Sequence, residues 1–253
     1  MEIKEIEKLT RQYKTLSKGM FDYKKYSYYS ITHHSTSIEG STLTESQVIN
    51  LLELGKTANN KPFEHHQMVF DHYQALLFTM DLAKQKSKLS VKIIQQIASH
   101  VMKNTGAITN TIIGTYNSSN GEFRLSGIRA GNRYFPDYKK VPGLMDKLCN
   151  ELNAGLKAAK TFKQKCELAF KTHYDLVSIH PFGDGNGRTA RLLMNFVQAY
   201  FNLPLSVVLP NDKLKYIAAI ESTRKQEDMQ PLYNFMFGQY VKFMKKEIKQ
   251  LDQ

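Results

Sequence analysis

His180-Pro181-Phe182-Gly183-Asp184-Gly185-Asn186-Gly187-Arg188-Thr189-Ala190-Arg191 gathers several kinds of chemistry in one short segment. His180 can take a proton from an attacking hydroxyl near neutral pH. Asp184 offers a hard oxygen to Mg²⁺, which takes one or two carboxylates plus substrate phosphates. The glycine-rich centre lets a backbone approach an anion closely, and it runs into a segment with helical periodicity, whose first N–H groups attract negative charge. Arg188 and Arg191 lie on neighbouring positions of the first turn, and their forked donors suit phosphate oxygens. Together these groups fit a nucleotide phosphate and the transfer of a phosphate-linked group.

The elements that must position this segment read as helices. Leu168, Ala169, Leu176, Val177 and Ile179 fall near one stripe before it, and Leu192, Leu193, Phe196 and Val197 do so after it. Pro181 and the glycines break the pattern between them. A helix on both sides argues against a dinucleotide fingerprint at residues 185–190, because that motif follows a strand. A P-loop needs a lysine after its last glycine, and none stands here.

Elsewhere, Thr44-Glu45-Ser46-Gln47 is a capping box for a helix ending near Gly55, residues 61–86 form a long helical pattern, and Ser90 caps a helix over 91–102. Helices over 139–156, 161–179, to about 201, 212–224 and 231–251 follow, with Leu203-Pro204 as a break. Gly and Asn clusters punctuate short β-like runs over residues 121–136, the mark of a hairpin. His65, His66, Asp71 and His72 invite a metal reading, but no second ligand cluster accompanies them. Tyr23, Tyr26, Tyr28 and Tyr29 read as packing.

The chain has 253 residues and is 42% hydrophobic, enough for one sizeable core. Neither a run of transmembrane length nor a signal peptide is visible, and Cys149 and Cys166 form no pattern, so a cytoplasmic location is expected. A net charge of +12 raises nucleic-acid binding as a rival function. The lysines are scattered along helices and no nucleic-acid-binding motif accompanies them, so a solvated basic face is the plainer account.

Residues 180–191 resemble the signature of the Fic family, H-x-F-x-[D/E]-G-N-G-R-x-x-R, and every specified position is met. The resemblance implies an all-α, Fic-type helical bundle with a small β-hairpin flap. Its parts would be N-terminal helices over 1–90, with an inhibitory helix near 30–40, a core over 91–225 and a C-terminal helix over 226–253, all in a single domain. It implies that His180 is the base, that Phe182 anchors the loop, that Asp184 holds Mg²⁺ and that Gly185, Asn186 and Gly187 form the anion hole. Arg188 would grip the β- and γ-phosphates, and Arg191 the γ-phosphate. Ser35-Thr36-Ser37-Ile38-Glu39-Gly40 resembles the family's inhibitory motif, which would pair Glu39 with Arg191 and deny that guanidinium to a phosphate.

Residues 121–136 look like the family's flap, which docks a target segment by backbone pairing. Ala130, Gly131, Asn132 and Arg133 would approach the nucleotide. Family flaps often end in Pro-Pro, whereas Pro136 is followed here by Asp137, and Arg129 and Arg133 make this flap basic. Tyr216 is the candidate contact to the base, and Arg224 stands near a place where the family often has Asn.

The implied activity is Mg²⁺-dependent transfer of AMP from ATP to a Ser, Thr or Tyr hydroxyl of a target protein, autoinhibited by Glu39. Transfer of another nucleotide-linked group, removal of AMP by the same site, self-modification and a homodimer remain open. A basic nucleic-acid-binding module is the reading from another class.

Overall fold

The computed structural model describes residues 2–20, 23–131 and 133–251. Its helices run α1 Ile3–Ser17, α2 Tyr23–Ile38, α3 Glu45–Leu54, α4 Phe63–Lys84, α5 Val91–Val101, α6 Val141–Ala158, α7 Phe162–Ile179, α8 Asn186–Tyr200, α9 Lys213–Gln226 and α10 Gln230–Leu251. Four short strands, β1 Ile108–Thr111, β2 Gly114–Asn117, β3 Arg129–Ala130 and β4 Arg133–Tyr134, lie between α5 and α6. The expected all-α architecture with a small hairpin is therefore present.

Local chemistry sets the helix ends. Thr44 accepts from the Gln47 N–H while the Gln47 side chain accepts from the Thr44 N–H, and Gly55 ends α3 in the left-handed region. Thr161 and Gln164 repeat that box at the start of α7. Ser90 accepts the Ile93 N–H to open α5.

The core is built around α8, which packs mainly against α7 and α4. All side chains from Arg188 to Gln198 are buried, so α8 is enclosed on every face rather than along one stripe. Two of its polar members are satisfied internally: Asn195 donates to the Ser206 carbonyl at 2.9 Å, and Gln198 accepts the Ser206 N–H at 2.8 Å. Helix α2 lies across the start of this assembly with Thr32, His34, Ser35 and Thr36 buried, a polar helix placed by its tertiary partners.

Two differences from the sequence reading concern the strands. The β1–β2 hairpin pairs Ile108 with Asn117 through Thr111 with Gly114 and was not foreseen. In the flap, only Arg129 with Tyr134 and Ala130 with Arg133 pair as a ladder, so the strands cover a fraction of residues 121–136. The rest is irregular, apart from a lone bridge between Phe123 and Phe182. Among the described residues, no helix is long and apolar enough to cross a membrane.

Candidate active site

Helix α7 stops because His180 adopts φ 52°, the left-handed region, with its N–H still bonded to the Leu176 carbonyl. Phe182 then turns into the core at 1% exposure. The Asn186 side chain clamps it from both sides: its Oδ1 accepts the Phe182 N–H at 3.0 Å, and its Nδ2 donates to the Phe182 carbonyl at 2.9 Å. Asn186 thus braces the loop with its side chain, leaving only its backbone for an anion. Gly185 takes φ 76° to start α8. The first helical N–H with an acceptor in its own helix belongs to Thr189, to the Gly185 carbonyl at 2.9 Å, so the preceding amides point their donors out of the helix start.

Glu39 meets this helix start. Arg191 donates through Nη2 to Glu39 Oε1 at 2.6 Å and to the Ser35 carbonyl at 3.0 Å, and through Nε to Ser35 Oγ at 2.9 Å. A Cβ placed on Gly187 would fall 2.5 Å from Glu39 Oε1, so the carboxylate lies against the backbone of the first helical turn. Burial opposes the Glu39 charge, but Arg191, helped by Arg188 and Lys213, holds its carboxyl below the usual range. The sequence motif's two partners, Ser35 and Glu39, are therefore both on the second signature arginine.

Arg188 behaves differently. It is 2% exposed, and its guanidinium turns toward the Val101 carbonyl at 3.4 Å and Met102 Sδ at 3.0 Å. Its Nε has no partner. It stays out of the lining of the cavity described next, and its contact with Asp184 Oδ2 is a long 3.4 Å. Asp184 itself is largely exposed, with Oδ1 accepting the Gly185 N–H at 2.6 Å. One solvent-facing carboxylate suits a Mg²⁺ ion whose other ligands are phosphate and water oxygens.

A cavity of about 550 Å³ opens beside the loop. His180, Gly187, Arg191 and Glu39 line one side, Ala130, Arg133 and Phe135 of the flap another, and Tyr216, Glu221 and Arg224 of α9 a third. Burial, then the nearby Arg124 and Arg133, push His180 down to about 4, while the Val177 carbonyl and Asp184 oppose the shift. The imidazole is thus neutral near pH 7 and able to accept a proton. Tyr216 is buried, its hydroxyl 2.6 Å from His173 Nε2, so it presents its ring to the cavity. Arg224 is held by Glu221 at 2.8 Å. Gly131 turns the flap at φ 56° and Ala130 reaches the cavity; Asn132 lies outside the described residues.

Arg124 was missed by the sequence reading. It is 1% exposed and donates to three carbonyls: Nε to His180 at 2.7 Å, Nη1 to Ser126 at 2.7 Å and Nη2 to Pro136 at 2.6 Å. Its own N–H bonds the Pro181 carbonyl at 3.0 Å. This one guanidinium ties both ends of the flap to the histidine loop. A signal was available: an arginine flanked by Phe123 and Leu125 in a segment otherwise built for turning.

The histidines of α4 do not converge. His65 Nδ1 accepts the Thr42 N–H, His66 lies between the Ala58 N–H and the Pro62 carbonyl, and Asp71 accepts from Asn104. Among the described residues, no group of three or more His, Cys, Asp or Glu is arranged to hold a metal.

Residues 88–198 match the Fic/DOC family. Curated relatives include the "Protein adenylyltransferase Fic" of Drosophila willistoni, 28% identical over 213 residues, which make up 84% of this chain and 40% of the relative. The Drosophila melanogaster protein of the same name gives the same identity and coverage. The chain thus spans about two fifths of the length of the curated relatives it matches. Among solved structures, a Fic domain containing signaling protein from Bacteroides thetaiotaomicron superposes with a TM-score of 0.82 at 24% identity, covering 98% of this chain and 96% of that one. Fic-1 of C. elegans gives 0.75 at 22% identity, covering 98% and 73%.

Proposed function

From the premise that the chain carries a domain of the Fic/DOC family over residues 88–198, we propose that it transfers AMP from ATP to a hydroxyl of a protein and that Glu39 holds this activity off. The observation that carries the reading is the Arg191 guanidinium, set beside a neutral His180 in one cavity and occupied by Ser35 and Glu39.

In this reading the target hydroxyl approaches His180, which takes its proton as the oxygen bonds to the α-phosphorus. The bond from that phosphorus to the bridging oxygen breaks, and pyrophosphate leaves. The free amides at the start of α8 and, once vacated, Arg191 supply the positive field for the phosphates, with the buried Arg188 charge behind them. Asp184 would hold Mg²⁺, which neutralises phosphate charge when bound. The Tyr216 ring and the apolar side of α9 receive the base. The flap offers the exposed edge of β3, flanked by Arg129, to an extended segment of the target protein or of the chain itself. A cytoplasmic setting belongs to the same reading, supported by the two buried free thiols Cys149 and Cys166.

Mass spectrometry after incubation with ATP and Mg²⁺ tests the proposal. The Glu39→Gly protein gains the mass of AMP on itself or on an added target, the unaltered protein gains far less, and Glu39→Gly with His180→Ala gains none while still binding ATP. Binding of ATP without any transfer by Glu39→Gly would overturn it. About a third of the Glu39 side chain remains exposed, 31%, which favours one second reading: a carboxylate able to orient water for removing AMP. A pre-modified protein supplied to the unaltered chain separates the two.

A further inference from the structure

Three side chains from the flap and the catalytic loop form a continuous pile beside the cavity. The rings of Phe135 and His180 stack with centroids 4.0 Å apart and planes 23° apart. The Arg133 guanidinium lies 4.5 Å from the Phe135 ring centroid. Arg133 in turn bonds Glu221 Oε1 at 3.2 Å, and Glu221 also holds Arg224 on α9. The pile is therefore anchored at one end by a helix and ends at the other on the imidazole.

A histidine that moves protons usually has its ring fixed through the nitrogen that does not react, by a carboxylate or a carbonyl. At His180 the Val177 carbonyl acts on the ring, but Nδ1 is buried without a partner of ordinary hydrogen-bond geometry. The strong tethers at this residue act on its backbone: the Leu176 carbonyl on its N–H and Arg124 on its carbonyl. These fix the residue's backbone, and the Val177 carbonyl alone acts on the edge of the ring. The flat contact with Phe135 restrains the ring across its face.

We propose that Phe135, clamped by Arg133 and Glu221, is the positioning residue that sets the His180 ring for proton transfer. The proposal rests on the reading of His180 as the base. It also gives the flap a second task, since the segment that would receive the target also orients the group that deprotonates it. The charged groups around the imidazole are Arg124 and Asp184 from its own neighbourhood and Arg133 beyond the Phe135 ring, with Glu221 balancing Arg133. Phe135 shields one face of the imidazole from water, so its loss removes part of the burial that keeps the ring neutral.

The test compares Phe135→Ala, Phe135→Leu and Phe135→Tyr, each in the Glu39→Gly background. The first measurement is the titration of the His180 ring by ¹⁵N NMR without nucleotide. Phe135→Ala moves it up toward the ordinary 6.5, and Phe135→Tyr leaves it in place. The second is kinetic: kcat for AMP transfer falls about tenfold in Phe135→Ala and Phe135→Leu with KM for ATP held within about twofold, and Phe135→Tyr restores it. An unchanged titration in a folded Phe135→Ala protein overturns the proposal, as does equal loss of kcat in Phe135→Tyr. If the Glu39→Gly protein transfers nothing, the functional reading fails, yet the titration still decides whether the stack governs the imidazole.

Discussion

The histidine loop and the flap face each other across one cavity, but they are held in opposite ways. The loop is determined many times over: Phe182 is in the core, Asn186 grips it twice, and α8 behind it is enclosed on every face. The flap has a ladder of two residue pairs, both residues of β3 exposed, and depends on Arg124 and the Arg133–Glu221 pair. In the proposed reaction, groups that would need precise geometry sit on the rigid side, and those that would receive a target segment sit on the adaptable side. The loop's integrity is therefore bound to global stability, whereas the flap's is separable from it.

The largest effect should come from Phe182→Ala, which empties a core position and costs about 3–5 kcal/mol, read as a fall in the urea midpoint. Arg124→Ala should divide the two regions most cleanly. It leaves three carbonyls without their donor, yet the global midpoint moves by less than in Phe182→Ala, while limited proteolysis cuts residues 125–135 readily and AMP transfer in the Glu39→Gly background falls about a hundredfold. Equal midpoint shifts in the two variants would break the distinction.

A milder probe is pH. His180 and His34, each lowered to about 4, and His173, lowered to about 3, are all held down first by burial, so the unfolded chain binds their protons before the folded one does. This stability is fully present above 6.5 and declines as pH falls from there toward 4; thermal melts across that window should show it. His180→Gln should flatten part of the slope, tying the imidazole between loop and flap to acid sensitivity. The smallest effect belongs to Arg224→Ala, whose half-exposed pair with Glu221 contributes under about 0.5 kcal/mol, within error of the unaltered melt.

The loop was legible in the sequence because its chemistry is contiguous: base, carboxylate, glycines and arginines lie side by side. The Glu39–Arg191 contact joins positions 152 residues apart and was legible only through the resemblance to a family. Helix α2 shows little amphipathic stripe, since Ser30, Thr32, His34, Ser35 and Thr36 are buried beside Tyr29, Ile31 and Ile38, so periodicity alone says little about which face it turns inward. The β1–β2 hairpin escaped notice because its strands, Ile108-Thr109-Asn110-Thr111 and Gly114-Thr115-Tyr116-Asn117, are four residues each and lack the apolar–polar alternation in residue type that betrays a half-buried strand. Arg124 and Phe135 were hidden for another reason. Each acts on a residue more than forty positions away, and no local pattern encodes such a partner.

Gly187 carries a consequence for how such a chain can change. The bare Cα that lets Glu39 rest on the helix start is the same gap a phosphate oxygen would need. On the proposed reading, a methyl group there would crowd Glu39 and a bound phosphate alike, so a change at position 187 would not separate inhibition from activity. Escape has to come through α2 and the turn after it, where Glu39 can be lost without touching the machinery. If Glu39 inhibits as proposed, that control would then be easy to discard and hard to imitate elsewhere, and the segment carrying α2 would set how much of the protein is at work.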